Sequence, residues 1–444
     1  MPAPTASVPR ATGLIALAFL LCLAGAAGAQ PTMTDPNLMV SPVVPPGSLD
    51  QPTTMAFLQS NEILVLEKAT GIVRRILNDV LQPNALDVAV ASDGERGLLG
   101  IAIDPGSPTH VFLYYTEATV DGGPALGNRL YRYDWNPATG TLINPQLLLD
   151  LPAQPAAFHN GGVLVWDDVN GHLYAVIGDQ NHTGQLQNIS TGPVPDNTGV
   201  IFRINGDGTP ATGNPFTPYC NNLTTQTCTT SANCPAGGTC LTQVRLYYSY
   251  GVRNCFGLTR DPVTGLLWDT ENGPFMPTYD EVDQVTIGAN SGWNRIMGPV
   301  IRDPQGTSDL WNMPGAGLTY NDPEFSWLDS TAPTGIAFTI GTSWGPAYDP
   351  TVLVGDAIFG AISAFTLNAP RTAFVLTGGL ADMVADTPAE RDQVRIGTGF
   401  QGITHIVRGL ESPSPHIYVV SINNGTVYRI RGPVPVSLQG FTVD

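Results

Sequence analysis

The stretch Gly162-Val163-Leu164-Val165-Trp166-Asp167-Asp168-Val169-Asn170-Gly171-His172-Leu173-Tyr174-Ala175-Val176-Ile177-Gly178-Asp179 reads as an apolar strand, an Asn-Gly turn and a second apolar strand. Short alternating runs bounded by Gly, Asp and Pro are strand and turn signals. The same order, closed by a strand that ends in Arg-Ile or a relative, recurs along the chain. The copies run from Met55-Ala56-Phe57 to Arg75-Ile76, Leu99-Gly100-Ile101 to Arg132-Tyr133, Gly162-Val163-Leu164 to Arg203-Ile204, Phe256-Gly257-Leu258 to Val285-Thr286, Gly335-Ile336-Ala337 to Phe365-Thr366, and Gly402-Ile403-Thr404 to Arg429-Ile430. Repetition of this kind around an axis makes a β-propeller, which leaves only short sheet edges. The expected fold is all-β: six blades of four antiparallel strands over residues 42–432, with a tail over 433–444. The 49 glycines and 39 prolines agree. Closure of the ring is expected to bring residues near 45 to 60 beside residues near 415 to 432.

Residues 1–29 carry one charge, Arg10, then an apolar run from Leu14 to Leu23 and small residues ending Ala27-Gly28-Ala29. This is the pattern of a signal peptide and predicts a secreted or periplasmic protein. The run is too brief for a spanning helix of roughly 20 residues, and no later segment is long and apolar enough to span a bilayer. Nineteen Lys and Arg against 37 Asp and Glu give a net charge of -18. Removing 29 residues from 444 leaves 415 and takes away Arg10, so the charge becomes -19. Such a surface repels phosphate backbones and anionic lipids, which excludes nucleic acid as an expected partner.

Cys220, Cys228, Cys234 and Cys240 lie in a Thr- and Asn-rich insert, residues 217–243, without apolar periodicity. Disulfides in an oxidising compartment are expected there, in any of three pairings. Zinc is the weaker reading, because the spacing holds no CxxC pair and the insert has no histidine. Cys255 stands alone and reads as a small buried residue.

Several ordered segments carry a family resemblance. They are Glu95-Arg96-Gly97-Leu98-Leu99-Gly100, His159-Asn160-Gly161-Gly162 with Ile177-Gly178-Asp179-Gln180, Tyr250-Gly251-Val252-Arg253-Asn254-Cys255-Phe256-Gly257, Leu267-Trp268-Asp269-Thr270-Glu271-Asn272-Gly273-Pro274, and Asp280-Glu281-Val282 followed by Gly288 to Trp293. Together they resemble the glucose/sorbosone dehydrogenases, soluble propellers whose better-known members oxidise sugars with pyrroloquinoline quinone (PQQ) and calcium. The resemblance implies an aldose as substrate and an external electron acceptor. It implies His159 as the base and Asp179 as the group that orients it. Arg253, Asn254, Glu95 and Gln180 would contact the cofactor, and the carbonyls of Gly273 and Pro274 would hold calcium. Glu281 would anchor a loop or a second, structural calcium. A neutral imidazole, with an ordinary pKa near 6.5, suits proton abstraction near neutral pH.

The chain departs from the family pattern on the cofactor side. Ile358 stands where the PQQ enzymes place a lysine, Phe256 and Glu95 stand where glutamine is usual, and Phe400 and Gly402 align with two arginines. Arg395 and Arg408 lie nearby but off register, and Lys68, the only lysine, is expected to be no substitute. Three carboxylates need cations to offset their desolvation. The expectation is therefore a sugar dehydrogenase with weakened quinone binding. The alternative is a propeller that has lost the quinone and binds carbohydrate or protein.

Overall fold

The computed structural model describes residues 30–274, 278–314, 317 and 319–433. The expected signal peptide, and the tail beyond Pro433, lie outside the described residues. Six antiparallel sheets surround one axis. Blade one is built from Pro52–Gln59, Glu62–Glu67 and Ile72–Leu77, with two short strands, Val80–Leu81 and Leu86–Asp87, on its outer edge. Blade two holds Leu98–Asp104, His110–Glu117, Gly127–Asn136 and Thr141–Leu151, and blade three holds Leu164–Asp167, His172–Ile177, Val200–Asn205 and Tyr247–Tyr250. Blade four holds Cys255–Arg260, Leu267–Glu271, Asp280–Val285 and Phe325–Trp327, extended by a parallel pairing with Val384–Ala385. Blade five holds Pro333–Phe338, Thr351–Asp356, Ile362–Thr366 and Arg395–Thr398, with Thr32–Met33 added outside. Blade six holds Ile403–Arg408, Ile417–Ser421 and Thr426–Arg431.

The ring closes on blade six, where Met39–Pro42 pairs antiparallel with Thr426–Arg431, Met39 opposite Arg431 and Pro42 opposite Tyr428. The closing strand thus lies upstream of the expected 45–60 segment. That segment is adjacent without supplying the strand: Gly47 and Leu49 donate backbone bonds to Asn424 and Gly425, and Met55 and Phe57 pack with Tyr418 and Val420. Pro45 and Pro46 explain the shift, since proline lacks the N–H a ladder requires.

Period-two alternation gives each inner strand two apolar faces, because every blade is sandwiched between neighbours. Trp268, Val282 and Phe325 of blade four pack on Ile336, Val352 and Phe365 of blade five. On the opposite face, Leu267, Val285 and Cys255 pack on Val176, Ile201 and Tyr248 of blade three. Cys255 is fully buried and unpaired, as expected. In the insert, Cys220 bonds Cys234 and Cys228 bonds Cys240, so of the three possible pairings the interleaved one is observed. Among the described residues no helix is long and apolar enough to cross a membrane.

Candidate active site

A cavity of about 570 Å³ opens on the axis. The innermost strand of every blade reaches it near its start, through Thr53 and Thr54, Leu99, Val163, Phe256, Thr334 and Thr404 in blades one to six. Loops that begin at these edges bring His159, Glu95, Arg253, Asn254, Gly273, Pro274 and Ile358 to the same space.

His159 sits in the turn that enters blade three, with φ of 61°, a left-handed conformation uncommon for histidine. Its neighbour Asn160 fixes that turn. Fully buried, Asn160 accepts from the Tyr114 hydroxyl through its carbonyl (3.0 Å) and from Asn128 Nδ2 through its side chain (3.1 Å). The His159 backbone N–H donates to Glu95 Oε2 at 2.5 Å. His159 Nδ1 lies 2.6 Å from Asp179 Oδ1, and Asp179 is almost wholly buried. An ionised carboxylate at Nδ1 selects the tautomer with the proton there, which leaves Nε2 as the acceptor.

Asp179 is itself held from three directions. Its backbone N–H donates to the Arg253 carbonyl (2.8 Å), Oδ1 takes the Asn181 N–H (2.9 Å), and Oδ2 takes the Trp293 indole N–H (2.5 Å). Gly178 permits this approach, because a Cβ there would meet the carbonyl oxygens of both Arg253 and His159 at 2.5 Å. The Arg253 guanidinium lies over the Trp293 ring, 5.1 Å from its centroid, and donates to the Asn272 carbonyl (2.5 Å). Burial lowers its pKa, opposed by Asp179, Glu95, Asp280 and Glu271. Asn254 Nδ2 points to both oxygens of Glu95 at 3.3 Å.

The Pro274 carbonyl accepts from Thr278 Oγ1 (2.5 Å), and Gly273 is held by Asp280. Its Oδ1 accepts from Gly273 N (2.8 Å), and its Oδ2 takes Ser330 Oγ and the N–H groups of Thr331 and Ala332. Burial raises the Asp280 pKa and these donors counter it. Glu281, next in sequence, faces away from the cavity and takes the Gly298 N–H. Gln180 is also turned away: fully buried, it donates to the Pro152 carbonyl (3.0 Å).

Lys68 corrects the sequence reading. It lines the cavity from blade one, donating to the Ser92 carbonyl (3.1 Å). Burial lowers its pKa, with Glu95 and Asp93 opposing. Arg395 does not reach the cavity, since it stacks on Phe359 and bonds Asp392. Trp293 was legible only as the end of a structural segment, and its bridge between Asp179 and Arg253 emerges from the fold.

With this geometry in view, the comparisons with known proteins agree. A model of the family described as Glucose / Sorbosone dehydrogenase matches residues 49–383. The chain belongs to the glucose/sorbosone dehydrogenase family. Within it, the chain is 25% identical over 329 residues to the aldose sugar dehydrogenase YliI of Escherichia coli, covering 72% of this chain and 77% of that one. It is 26% identical over 278 residues to the quinoprotein glucose dehydrogenase B of Acinetobacter calcoaceticus, covering 56% and 52%. Among solved structures, a putative oxidoreductase (glucose dehydrogenase) of Thermus thermophilus superposes with a TM-score of 0.63 at 26% identity, over 88% of this chain and 99% of that one.

Chemically, the site offers an imidazole acceptor, a guanidinium with an unpartnered Nε, and unpartnered carbonyl oxygens on Asn254 and Asn272. The first suits proton abstraction, the second an anionic or carbonyl oxygen, and the third a hard cation.

Proposed function

We propose that this chain is an exported sugar dehydrogenase that oxidises an aldose at its anomeric carbon. The observation that carries the reading is the His159–Asp179 contact of 2.6 Å beside Arg253 and Asn254 in one axial cavity. His159 Nε2 accepts the proton of the anomeric hydroxyl. The C–H hydride leaves with its electron pair, and the product is a lactone. Asp179 holds the ring and stabilises the imidazolium that forms, while the Arg253 cation lies beside the developing negative charge. A quinone bound here supplies the two-electron acceptor.

The cavity's donor set fits such a group by size and charge. A volume of about 570 Å³ falls within the roughly 300–1,000 Å³ of small-molecule sites. Lys68 and Arg253 contribute two positive charges and Glu95 one negative charge to the lining. A tricarboxylate accompanied by one calcium ion brings a net negative charge of one, so the sum is zero. Arg253 and Asn254 would face the quinone oxygens, and Lys68 would face a carboxylate. The Gly273 and Pro274 carbonyls, with the orphaned Asn254 and Asn272 oxygens, would hold calcium. The quinoprotein name of the Acinetobacter relative supports the same cofactor. The signal pattern and the paired cysteines support export.

The test is reconstitution with calcium and PQQ, followed by dye reduction with a panel of aldoses. Aldose-dependent turnover that is lost in His159→Asn supports the proposal. Absence of both turnover and micromolar cofactor binding rejects it.

A further inference from the structure

A further cavity, of about 340 Å³, opens between blade six and blade one. On its rim, Ser60 and Asn61 turn the inner strand Pro52–Gln59 into Glu62–Glu67, and Glu411 lies between Ile403–Arg408 and Ile417–Ser421. The axial cavity meets the inner strands near their starts, whereas this one meets them at their ends. The two therefore open at opposite ends of the ring, and the proposed mechanism uses only the first.

The charges that line it are already paired. Arg429 Nη2 forms an ion pair with Asp79, and Arg429 Nε donates to the Tyr418 hydroxyl (2.9 Å). That hydroxyl donates in turn to Glu411 Oε1, while Oε2 takes the His416 backbone N–H (3.1 Å). His416 Nδ1 lies 2.9 Å from Ser343 Oγ. The hydroxyl accepts the Gly432 N–H (3.1 Å), so its own proton is free for the ring. Burial lowers the His416 pKa, opposed by Glu411 and aided by Arg431 and Arg429. The imidazole is thus neutral near pH 7, with its N–H at Nε2. Across the cavity, Asn61 Nδ2 donates to Asn78 Oδ1 (2.8 Å). Among the described residues nothing engages Asn61 Oδ1, Asn78 Nδ2 or His416 Nε2.

What remains for a ligand is an amide oxygen, an amide N–H, an imidazole N–H and the Ser60 hydroxyl, above an apolar floor of Ile63 and Ile76. An anion would find the guanidinium neutralised, and a cation would find the carboxylates occupied. Neutral donors and acceptors over hydrocarbon match the hydroxyls and C–H face of a pyranose. The volume, at the small end of the roughly 300–1,000 Å³ of small-molecule sites, suits a mono- or disaccharide. We infer that the cleft between blades six and one binds a neutral saccharide through Ser60, Asn61, Asn78 and His416, without chemistry, as a site apart from the axial cavity. The inference does not rest on the redox reading, and its test reads no turnover.

Protein without quinone is titrated by calorimetry and saturation-transfer NMR with methyl hexopyranosides of gluco, galacto and manno configuration, and with trehalose and sucrose. None of these probes carries a free anomeric hydroxyl for His159. Wild type and His159→Asn should bind at least one of them alike. Asn61→Ala/Asn78→Gly should bind it ~10-fold or more weakly, with glycine suited to the left-handed φ of 53° at residue 78. Ser60→Trp, which fills the cleft from an exposed turn, should not bind it. Binding that persists in both cleft variants overturns the inference, as does binding lost in His159→Asn, which would place the sugar in the axial cavity. A wild type that binds none of the probes, or that binds glutamine in their place, is equally fatal. If one cleft variant does not fold, as read by its Tm, the other decides.

Discussion

The wall of the cavity built by blades two to four and the wall built by blades five and six are made differently. On the first, Glu95, His159, Asp179, Trp293, Arg253 and Asn254 form one continuous chain of contacts. On the second, Ala332, Ala357, Ile358 and Ile422 present hydrocarbon, and the threonine hydroxyls point into the scaffold. Thr334 donates to the carbonyls of Gly355 and Ile403, and Thr404 to that of Pro52. The first wall is preorganised to move a proton and meet a developing charge. The second can shape a ligand but cannot neutralise one. Reaction chemistry and cofactor retention are thus separable in this propeller, and each can be perturbed alone.

Breaking the first wall has the largest expected effect. His159→Asn removes the acceptor nitrogen while keeping a side chain that can approach Asp179, and kcat should fall by ~10²–10⁴-fold, the range of a lost general base. Cofactor affinity should stay within a few-fold, since the histidine acts on the substrate side. Asp179→Asn should produce a smaller loss with a shifted pH profile, because the tautomer is no longer fixed. Steady-state dye reduction and a cofactor titration read both quantities. Equal losses of turnover and quinone affinity in His159→Asn would show that the two walls are not independent.

Supplying the second wall with a cation tests the complement. Ile358 is 53% exposed at the cavity edge, so a lysine there keeps its head in solvent until a carboxylate arrives. A charge-assisted bond of about 1.5–3 kcal/mol should tighten the quinone by ~10- to 100-fold at Ile358→Lys. Unchanged affinity in an absorbance titration would place the carboxylates elsewhere. Lys68→Gln should act in the opposite sense and more weakly, by up to ~10-fold, because its ammonium is half-buried and already shared with Ser92 and Glu95. A Lys68→Gln variant that binds quinone as wild type does would return the sole lysine to a structural role.

The propeller was legible because each blade repeats the same strand and turn code, and the His159, Asp179 and Arg253-Asn254 segments stood at loop starts that a propeller gathers at its axis. What escaped the sequence is contact across blades. Lys68 is near no other cavity residue in sequence, and only the packing of blade one on blade two brings it beside Glu95. Residues near 45 to 60 do lie beside residues near 415 to 432, but which residues supply the closing strand, Met39–Pro42, is a pairing between chain ends that local alternation does not encode.

A last effect, on stability rather than on binding or turnover, concerns what lies beneath the bare wall. His405, next to Thr404 on the inner strand of blade six, is half-buried and accepts the Met55 N–H at Nδ1 (3.3 Å), so its neutral form is the one the fold requires. Burial pushes its pKa down to about 4 from 6.5. Between those values the unfolded chain binds the extra proton and the folded one does not, so stability present above pH 6.5 is lost as pH falls toward 4. The full loss is about 3 kcal/mol on the usual 1.36 kcal/mol per pKa unit. His405→Gln keeps an acceptor for Met55 and cannot be protonated. Denaturant unfolding at pH 7.5 and pH 5 should therefore show a smaller stability difference in the variant than in wild type. The acid loss that remains in His405→Gln belongs to the carboxylates of the other blades. An equal pH dependence in the two proteins would mean that the bare wall rests on a histidine able to charge, and that its lack of cations in the folded state is not enforced.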